Sequence, residues 1–186
     1  MIIRFLICLL LAGFWSTLLY AAEQLHATAK LPNPLRIAIS NDSFPYMFAD
    51  DAGQPAGLVV DYWREIARQQ GIDAEFVAAD WADTLSMLDA GLIDLHGGLG
   101  RTADRDRSYL LGPSYLDIFS NVFVHRDLAD VRNLVDLRPH LIGVVERSTH
   151  IDSLTKQQSD LVLKHYDSVS KMYDSALKGE IKAFTG

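Results

Sequence analysis

Apolar and polar residues follow one another along the chain in patterns that predict strands and helices in turn. Leu35–Ser40 alternates apolar residues with polar or small ones, as a strand does. Residues 57–71 place apolar side chains at helical spacing and end in Gly71, a common helix stop. A short strand over residues 74–77 and a helix over residues 80–91, capped by Asp80, come next. This order predicts an α/β fold with a parallel, doubly wound sheet.

The second half of the chain continues the alternation with more polar connections. The pattern predicts strands at residues 92–95, 110–115, 115–124, 141–145, 161–165 and 181–184, a helical turn at residues 134–137, and helices beginning near His150 and at Ser168.

The stretch from residue 91 to residue 115 concentrates the residues that could bind a ligand. Gly97, Gly98 and Gly100 form a loop in which backbone amides can approach a ligand closely. Arg105 follows in a polar turn that begins at Thr102, and its planar charged fork matches a carboxylate. A strand, a glycine loop, an arginine and a second strand therefore predict an anion-binding cleft. The alternatives are a surface ion pair for Arg105 and a tight turn for the glycines.

The first 22 residues read as a secretory signal peptide. Arg4 supplies a positive start, and the apolar run from Phe5 to Tyr20 is followed by small residues. An uncleaved membrane anchor is the alternative, although the run is short for a spanning helix. Cys8 lies inside this segment, so the exported part has no cysteine and no disulfide or thiol chemistry.

The charge of the exported part limits its partners. Without Arg4 the chain keeps 16 basic and 24 acidic residues. This acidic balance argues against nucleic acid and anionic membrane as partners.

The motifs in this order resemble those of the bacterial extracellular solute-binding proteins, family 3. The matching segments are Gly91-Leu92-Ile93-Asp94, Thr102-Ala103-Asp104-Arg105, Leu111-Gly112-Pro113-Ser114-Tyr115, Phe44-Pro45-Tyr46 and Gly57-Leu58-Val59-Val60-Asp61. The chain departs from the family pattern at Pro113, which comes one place early, and at Gly112, which replaces a serine. Leu58 and Val59 also stand where the family often has a phenylalanine and a ligand-holding acid.

The resemblance implies a two-lobed, periplasmic-binding-protein-like (type II) α/β fold whose second lobe is incomplete. It divides the chain into a signal peptide at residues 1–22, lobe 1 at residues 23–124 and partial lobe 2 at residues 125–186. A solute would bind between the lobes. The family has further strands and helices after this point, so the resemblance implies a C-terminally truncated domain that binds amino acids weakly or not at all.

The resemblance also implies which residues form the site. Arg105 would bind a carboxylate of the solute, with Gly98, Gly100 and Thr102 around it, and Ser148 and Thr149 would close on it from lobe 2. The family's stacking aromatic falls on Ser43, so Phe44 and Tyr46 would stack on the solute in its place, and the alternative is that this stacking is absent. Arg147 stands where the family has glycine, and Ser148 and Thr149 could be only a helix cap. We expect His96 to be a loop or core residue, Trp63 and Trp81 to be core residues, and no metal or cofactor to bind.

The resemblance leaves three classes of function open. The chain would be a periplasmic receptor that passes an amino acid or related carboxylate to an ABC-type permease. The alternative is the sensory input domain of a membrane kinase or diguanylate cyclase, which the run from His96 to Leu99 favours. An enzyme on the same fold, a dehydratase or lytic transglycosylase, is the weakest hypothesis, because no nucleophile–base pair or paired carboxylate is placed for chemistry.

Overall fold

The computed structural model describes residues 31–186; the predicted signal peptide lies outside them. Within the described residues the strands are β1 (Leu35–Ser40), β2 (Asp42–Ser43), β3 (Met47–Ala49), β4 (Pro55–Ala56), β5 (Ala74–Ala79), β6 (Leu95–His96), β7 (Val122–Val124), β8 (Leu141–Val145), β9 (Val162–Tyr166) and β10 (Ala183–Thr185). The helices are α1 (Leu58–Gln70), α2 (Trp81–Asp89), α3 (Ala103–Ser108), α4 (Thr149–Gln157) and α5 (Val169–Leu177), and short 3-10 turns cover Arg126–Leu128 and Leu134–Leu137.

The first lobe is built on a parallel sheet in the order β5-β1-β6. Its central strand β1 is buried, and Ile37 and Ile39 have no exposed surface. Helix α1 packs Val59 and Val60 against this strand, and it ends where Gly71 takes a left-handed φ of 65°. The helix, its glycine stop and the parallel sheet confirm the predictions for this part of the chain.

The second lobe is built on a mixed sheet in the order β7-β10-β8-β9. Strands β10, β8 and β9 run parallel, while β7 pairs antiparallel with β10. Helices α4 and α5 bury Leu154 and Met172 in the two small cores of this lobe. The predicted boundary after Val124 stays a prediction, and β7 just before it hydrogen-bonds within this second sheet.

Several predicted elements differ from the structure. Residues 92–94 form bends, so the strand there begins only at Leu95, and residues 109–121 form no strand. A strand needs a hydrogen-bonding partner as well as apolar side chains. Only the end of this stretch finds one, where Val122–Val124 pair with β10 and Asn121 exchanges backbone hydrogen bonds with Gly186. The predicted polar turn at Thr102 is the start of helix α3. The predicted loop after β1 contains β2 and β3, which join β4 in a small antiparallel sheet.

Trp81 lies where the two lobes meet. Its side chain packs against the core around Ile37 and also against the cluster of Val145, Met172 and Ile181. The backbone amide of Ser170 on α5 donates a 3.0 Å hydrogen bond to the Asp42 carboxylate on β2, which joins the lobes a second time. Residues 33–186 accordingly form one compact unit.

Candidate functional site

The candidate site lies at the carboxyl edge of the first sheet. Strands β5, β1 and β6 end side by side, and Asp80, Asn41 and Gly97 follow them. Open α/β sheets bind ligands at this edge. The Asn41 amide donates a 2.9 Å hydrogen bond to the Asp80 carboxylate. Asp80 is the N-cap residue of α2, but the predicted cap through its side chain is not formed.

Arg105 is the charged centre of this edge. It sits on α3 and is 8% exposed. The Thr102 hydroxyl caps the helix by accepting a 3.2 Å hydrogen bond from the Arg105 amide. The guanidinium donates 2.7 Å and 2.6 Å hydrogen bonds to the carbonyls of Gly100 and Arg147. Arg105 therefore reaches from the first lobe to the turn that precedes α4 in the second.

The surroundings of Arg105 leave it able to bind an anion. Burial lowers the pKa of its guanidinium, and the nearby Asp152 carboxylate raises that pKa again. An arginine carries five N–H donors and keeps its charge in proteins. Gly100 and Arg147 accept from two of these donors, so the guanidinium has further donors for a carboxylate. The guanidinium carbon lies over the Trp81 ring, 5.6 Å from its centroid, which favours the charged form.

The glycine loop is held in place by its carbonyls and by close packing. The Trp63 indole donates a 2.6 Å hydrogen bond to the Gly97 carbonyl, and the Tyr115 hydroxyl donates to the same oxygen. A Cβ atom on Gly98 would lie 2.8 Å from that hydroxyl, and one on Gly100 would lie 2.9 Å from Cγ2 of Thr149. A side chain at either position would therefore require a neighbouring side chain to shift.

His96 fixes the loop from inside the protein. The Thr84 hydroxyl donates to the Trp81 carbonyl at 2.6 Å, so it accepts from Nε2 of His96 at 3.0 Å. Nδ1 of His96 accepts from the Gly98 amide at 3.1 Å. Both contacts require the neutral ring with its proton on Nε2. Burial, and then the charge of Arg105, lowers the pKa of His96 to about 3, so the ring stays neutral at physiological pH.

The second lobe contributes the turn of Arg147, Ser148 and Thr149. Arg147 adopts a φ of 59°, the left-handed conformation that glycine usually provides. Ser148 is the N-cap residue of α4, and Thr149 begins the helix. The Ser148 hydroxyl oxygen is buried and has no hydrogen-bond partner among the described residues. A buried hydroxyl at a helix start, next to Arg105, is a suitable partner for an anion.

The structure brings most of the sequence-predicted site residues together. Arg105 hydrogen-bonds to the Gly100 carbonyl, and Thr102 caps the helix that carries Arg105. Gly100 faces Thr149 of the second lobe. Ser148 lies in the chain between Thr149 and Arg147, whose carbonyl accepts from Arg105. Gly98 joins this group through His96, whose ring packs edge-on against Trp81.

Phe44 and Tyr46 lie apart from that group. Phe44 is 76% exposed, and its ring packs against Phe48 at 5.1 Å. Tyr46 packs on the first core, and its carbonyl accepts a hydrogen bond from Val59. Phe44 thus contacts the small sheet and Tyr46 contacts the first core and α1, and neither contacts Arg105.

Three residues of the site are not evident from the sequence. The sequence predicts Trp81 as a core residue, yet its indole N–H is buried without a partner among the described residues, and its ring supports Arg105. His96 looks like an ordinary loop or core histidine, and Arg147 like a departure from glycine. The position of Trp81, two residues after the end of the parallel strand β5, is the signal that could have identified it.

Residues 31–186 offer neither a metal cluster nor a membrane span. There, histidine, cysteine and acidic side chains do not come together in any group of three that could hold a metal ion. The same residues include no helix whose length and apolarity would let it cross a membrane.

Comparison with known sequences identifies a family. The sequence model of the bacterial extracellular solute-binding proteins, family 3, matches residues 35–183. A Vibrio harveyi protein named as a putative amino-acid ABC transporter-binding protein, PatH, is 23% identical over 173 residues, which are 90% of this chain and 66% of PatH. The Bacillus subtilis protein YxeM, named as an amino-acid-binding protein, is 19% identical over 82% of this chain and 58% of its own length. The chain thus spans about two thirds or less of these relatives.

Solved structures share the fold. An ancestral arginine-binding protein bound to glutamine superposes with a TM-score of 0.78 at 23% identity, over 84% of this chain and 70% of that one. A histidine kinase sensor domain superposes with a TM-score of 0.74 at 23% identity, over 81% of this chain and 66% of that domain's chain. AncCDT-1, described as an amino-acid-binding precursor of cyclohexadienyl dehydratase, superposes with a TM-score of 0.73 at 21% identity, over 82% of this chain and 69% of that one. These likenesses confirm the predicted two-lobed, periplasmic-binding-protein-like α/β fold.

Proposed function

Since the chain belongs to the bacterial extracellular solute-binding proteins, family 3, we propose that it binds a small solute, an amino acid or a related carboxylate, between its two lobes. The observation that carries the proposal is the position of Arg105. Its buried guanidinium lies between the carbonyls of Gly100 and Arg147, beside the start of α4. A buried arginine next to a helix start and an unpartnered Ser148 hydroxyl is suited to a carboxylate.

The relatives support the class of solute. PatH and YxeM are both named for amino-acid binding, and the ancestral protein of the same fold holds glutamine or arginine. A carboxylate is the group that all amino acids share. Arg105 would bind that group.

The proposed role is that of an exported receptor. The predicted signal peptide would carry the chain to the periplasm, where it would deliver its solute to an ABC-type permease. It would perform no chemistry on the solute. Because AncCDT-1 is described as a precursor of a dehydratase, catalysis by a protein of this fold is the alternative to this proposal.

A sensory role is the second candidate. The histidine kinase sensor domain of the same fold favours it, as does the run from His96 to Leu99. Both roles require the same solute site and differ in the segment that comes after the binding domain. Sequencing the reading frame beyond residue 186 separates them, because a spanning helix there means a sensor and a stop after a finished lobe means a receptor.

A thermal-shift screen tests the site itself. Amino acids, small organic acids and polyamines are supplied at millimolar concentrations, where weak binding is also visible. A bound solute stabilises the native state by ~2.7 kcal/mol at a hundredfold excess over Kd. We expect a subset of the carboxylate solutes to raise the unfolding temperature and polyamines, which lack a carboxylate, to leave it unchanged. Stabilisation by polyamines alone, or by no carboxylate, would contradict the proposal.

A further inference from the structure

Arg147 holds a backbone conformation that its residue type disfavours. Its φ of 59° is the one positive value among the non-glycine residues that the structure describes. A Cβ atom makes this left-handed conformation unfavourable, and glycine adopts it freely. An arginine at this turn is therefore less favourable for the backbone than a glycine would be, and the contacts of its side chain are what could offset this cost.

The Arg147 side chain crosses from the second lobe to the first. Its Nη2 donates a 2.8 Å hydrogen bond to Oδ2 of Asp89, the last residue of α2, and lies 3.4 Å from the Tyr109 hydroxyl. Tyr109 in turn donates a 2.5 Å hydrogen bond to Oδ1 of Asp89. Both carboxylate oxygens of Asp89 are thus engaged, one from each lobe.

Asp89 is poorly placed without Arg147. The carbonyl end of a helix carries partial negative charge, which disfavours a carboxylate. The last turn of α2 has no basic residue of its own to offset this effect. The hydrogen bond from Tyr109, and then that from Arg147, lowers the pKa of Asp89, so the carboxylate is ionised at neutral pH. The compensating positive charge comes from the other lobe.

We propose that Arg147, Asp89 and Tyr109 form a latch that holds the two lobes together without solute and thereby strengthens binding in the cleft. The latch rests on the proposed function for what the cleft binds, but its geometry involves no solute. Contacts that form only when the two lobes meet raise the fraction of molecules in the closed state. The observed Kd equals the intrinsic Kd divided by the binding-competent fraction, so the latch tightens binding.

The expected size of the effect is modest because the pair is partly exposed. The side chains of Arg147 and Asp89 are 38% and 49% exposed. Ion pairs of this kind change an equilibrium by about two- to fivefold. The ratio of closed to open molecules should therefore fall by about that factor when the latch is removed.

The substitution Arg147→Gly tests the latch cleanly. Glycine accepts the left-handed backbone, and the carbonyl that binds Arg105 remains. Spin labels on cysteines at the exposed positions Gln70 of α1 and Lys156 of α4, in a chain with Cys8→Ser, report the distance between the lobes. With no solute added, we expect Arg147→Gly to move population to longer distances, Asp89→Asn to do the same, and the double variant to add nothing further.

A matched ion pair within one lobe serves as the control. Arg138 and Asp160 of the second lobe lie 2.8 Å apart and are 47% and 54% exposed. Arg138→Gly should leave the label distances unchanged, and circular dichroism shows whether each variant is folded. Distances in Arg147→Gly that superimpose on those of the parent would overturn the latch, as would additive effects of the two latch variants. Either result leaves the solute screen, and with it the proposed function, untouched.

Discussion

The guanidinium of Arg105 donates a 2.6 Å hydrogen bond to the main-chain carbonyl of Arg147, 42 residues further along the chain. This bond joins helix α3, which follows the glycine loop of the first lobe, to the turn that begins α4 in the second. The residue expected to bind a carboxylate is therefore also part of the contact between the lobes. A solute that binds Arg105 would be held by groups of both lobes at once.

His96 should make the fold sensitive to acid. Its folded-state pKa of about 3 lies below the ordinary value of 6.5, so between these values the unfolded chain binds a proton that the folded chain does not. The contribution of His96 to stability is complete above the ordinary pKa and is lost as pH falls toward the folded one. Urea unfolding at pH values of about 7 and about 4.5 should show a smaller acid loss in His96→Gln than in the parent.

The control for this prediction is His165→Gln, since His165 is exposed on β9. That variant should lose as much stability as the parent between the two pH values. If His96→Gln also kept the full acid loss, the neutral buried ring would not be its source.

Gly100 should not tolerate alanine. A Cβ atom there would lie 2.9 Å from Cγ2 of Thr149, so one of the two segments must shift. Overpacking of this kind costs about 1–3 kcal/mol. Thermal unfolding should show this loss for Gly100→Ala and little change for Gly112→Ala, whose added Cβ meets no atom within 4 Å. Thr149→Ser removes the clashing methyl group and should restore part of the loss; equal stability of the two alanine variants would refute the close approach.

Thr102 should stabilise α3 through its hydroxyl. The oxygen accepts a hydrogen bond from the Arg105 amide at the N-terminus of a six-residue helix. Removal of such a cap costs about 1 kcal/mol, and serine can replace it. Chemical denaturation of Thr102→Ala and Thr102→Ser should separate the two variants by about this amount. No difference between alanine and serine would show that the cap contributes nothing.

Local patterns predicted much of the fold. The apolar spacing of α1 and the glycines that end α1 and α2 are local features, and Gly71 and Gly91 adopt the positive φ values that such ends require. Strand formation over residues 109–121 could not be judged in this way, because pairing depends on a partner elsewhere in the chain. Helix α3 was missed because its short charged sequence has no apolar stripe.

The sequence could suggest site residues where a residue type is itself suited to binding an anion. Arg105 and the glycine loop became candidates because a charged fork and bare backbone suit an anion and because the surrounding motif resembles that of the family, and their role in binding stays a prediction. Trp81 and His96 were not, since their roles come from contacts with Arg105 and Gly98 that only the folded chain creates. Arginine in place of glycine at position 147 put the backbone conformation of this turn in doubt, and the structure shows that Arg147 adopts the left-handed conformation.

Arg105 is the residue proposed to bind the carboxylate of the solute. Calorimetry with the most stabilising carboxylate solute from the screen, and with its amide analogue, tests this directly. Arg105→Ala should weaken binding of the acid by ~2–5 kcal/mol, as removal of one partner of a desolvated charge pair does. Arg101→Ala, which removes an exposed arginine paired with Asp106, should leave binding unchanged. We expect the parent to prefer the acid to its amide and Arg105→Ala to lose this preference. Unchanged affinity and preference in a folded Arg105→Ala would show that Arg105 does not bind the carboxylate.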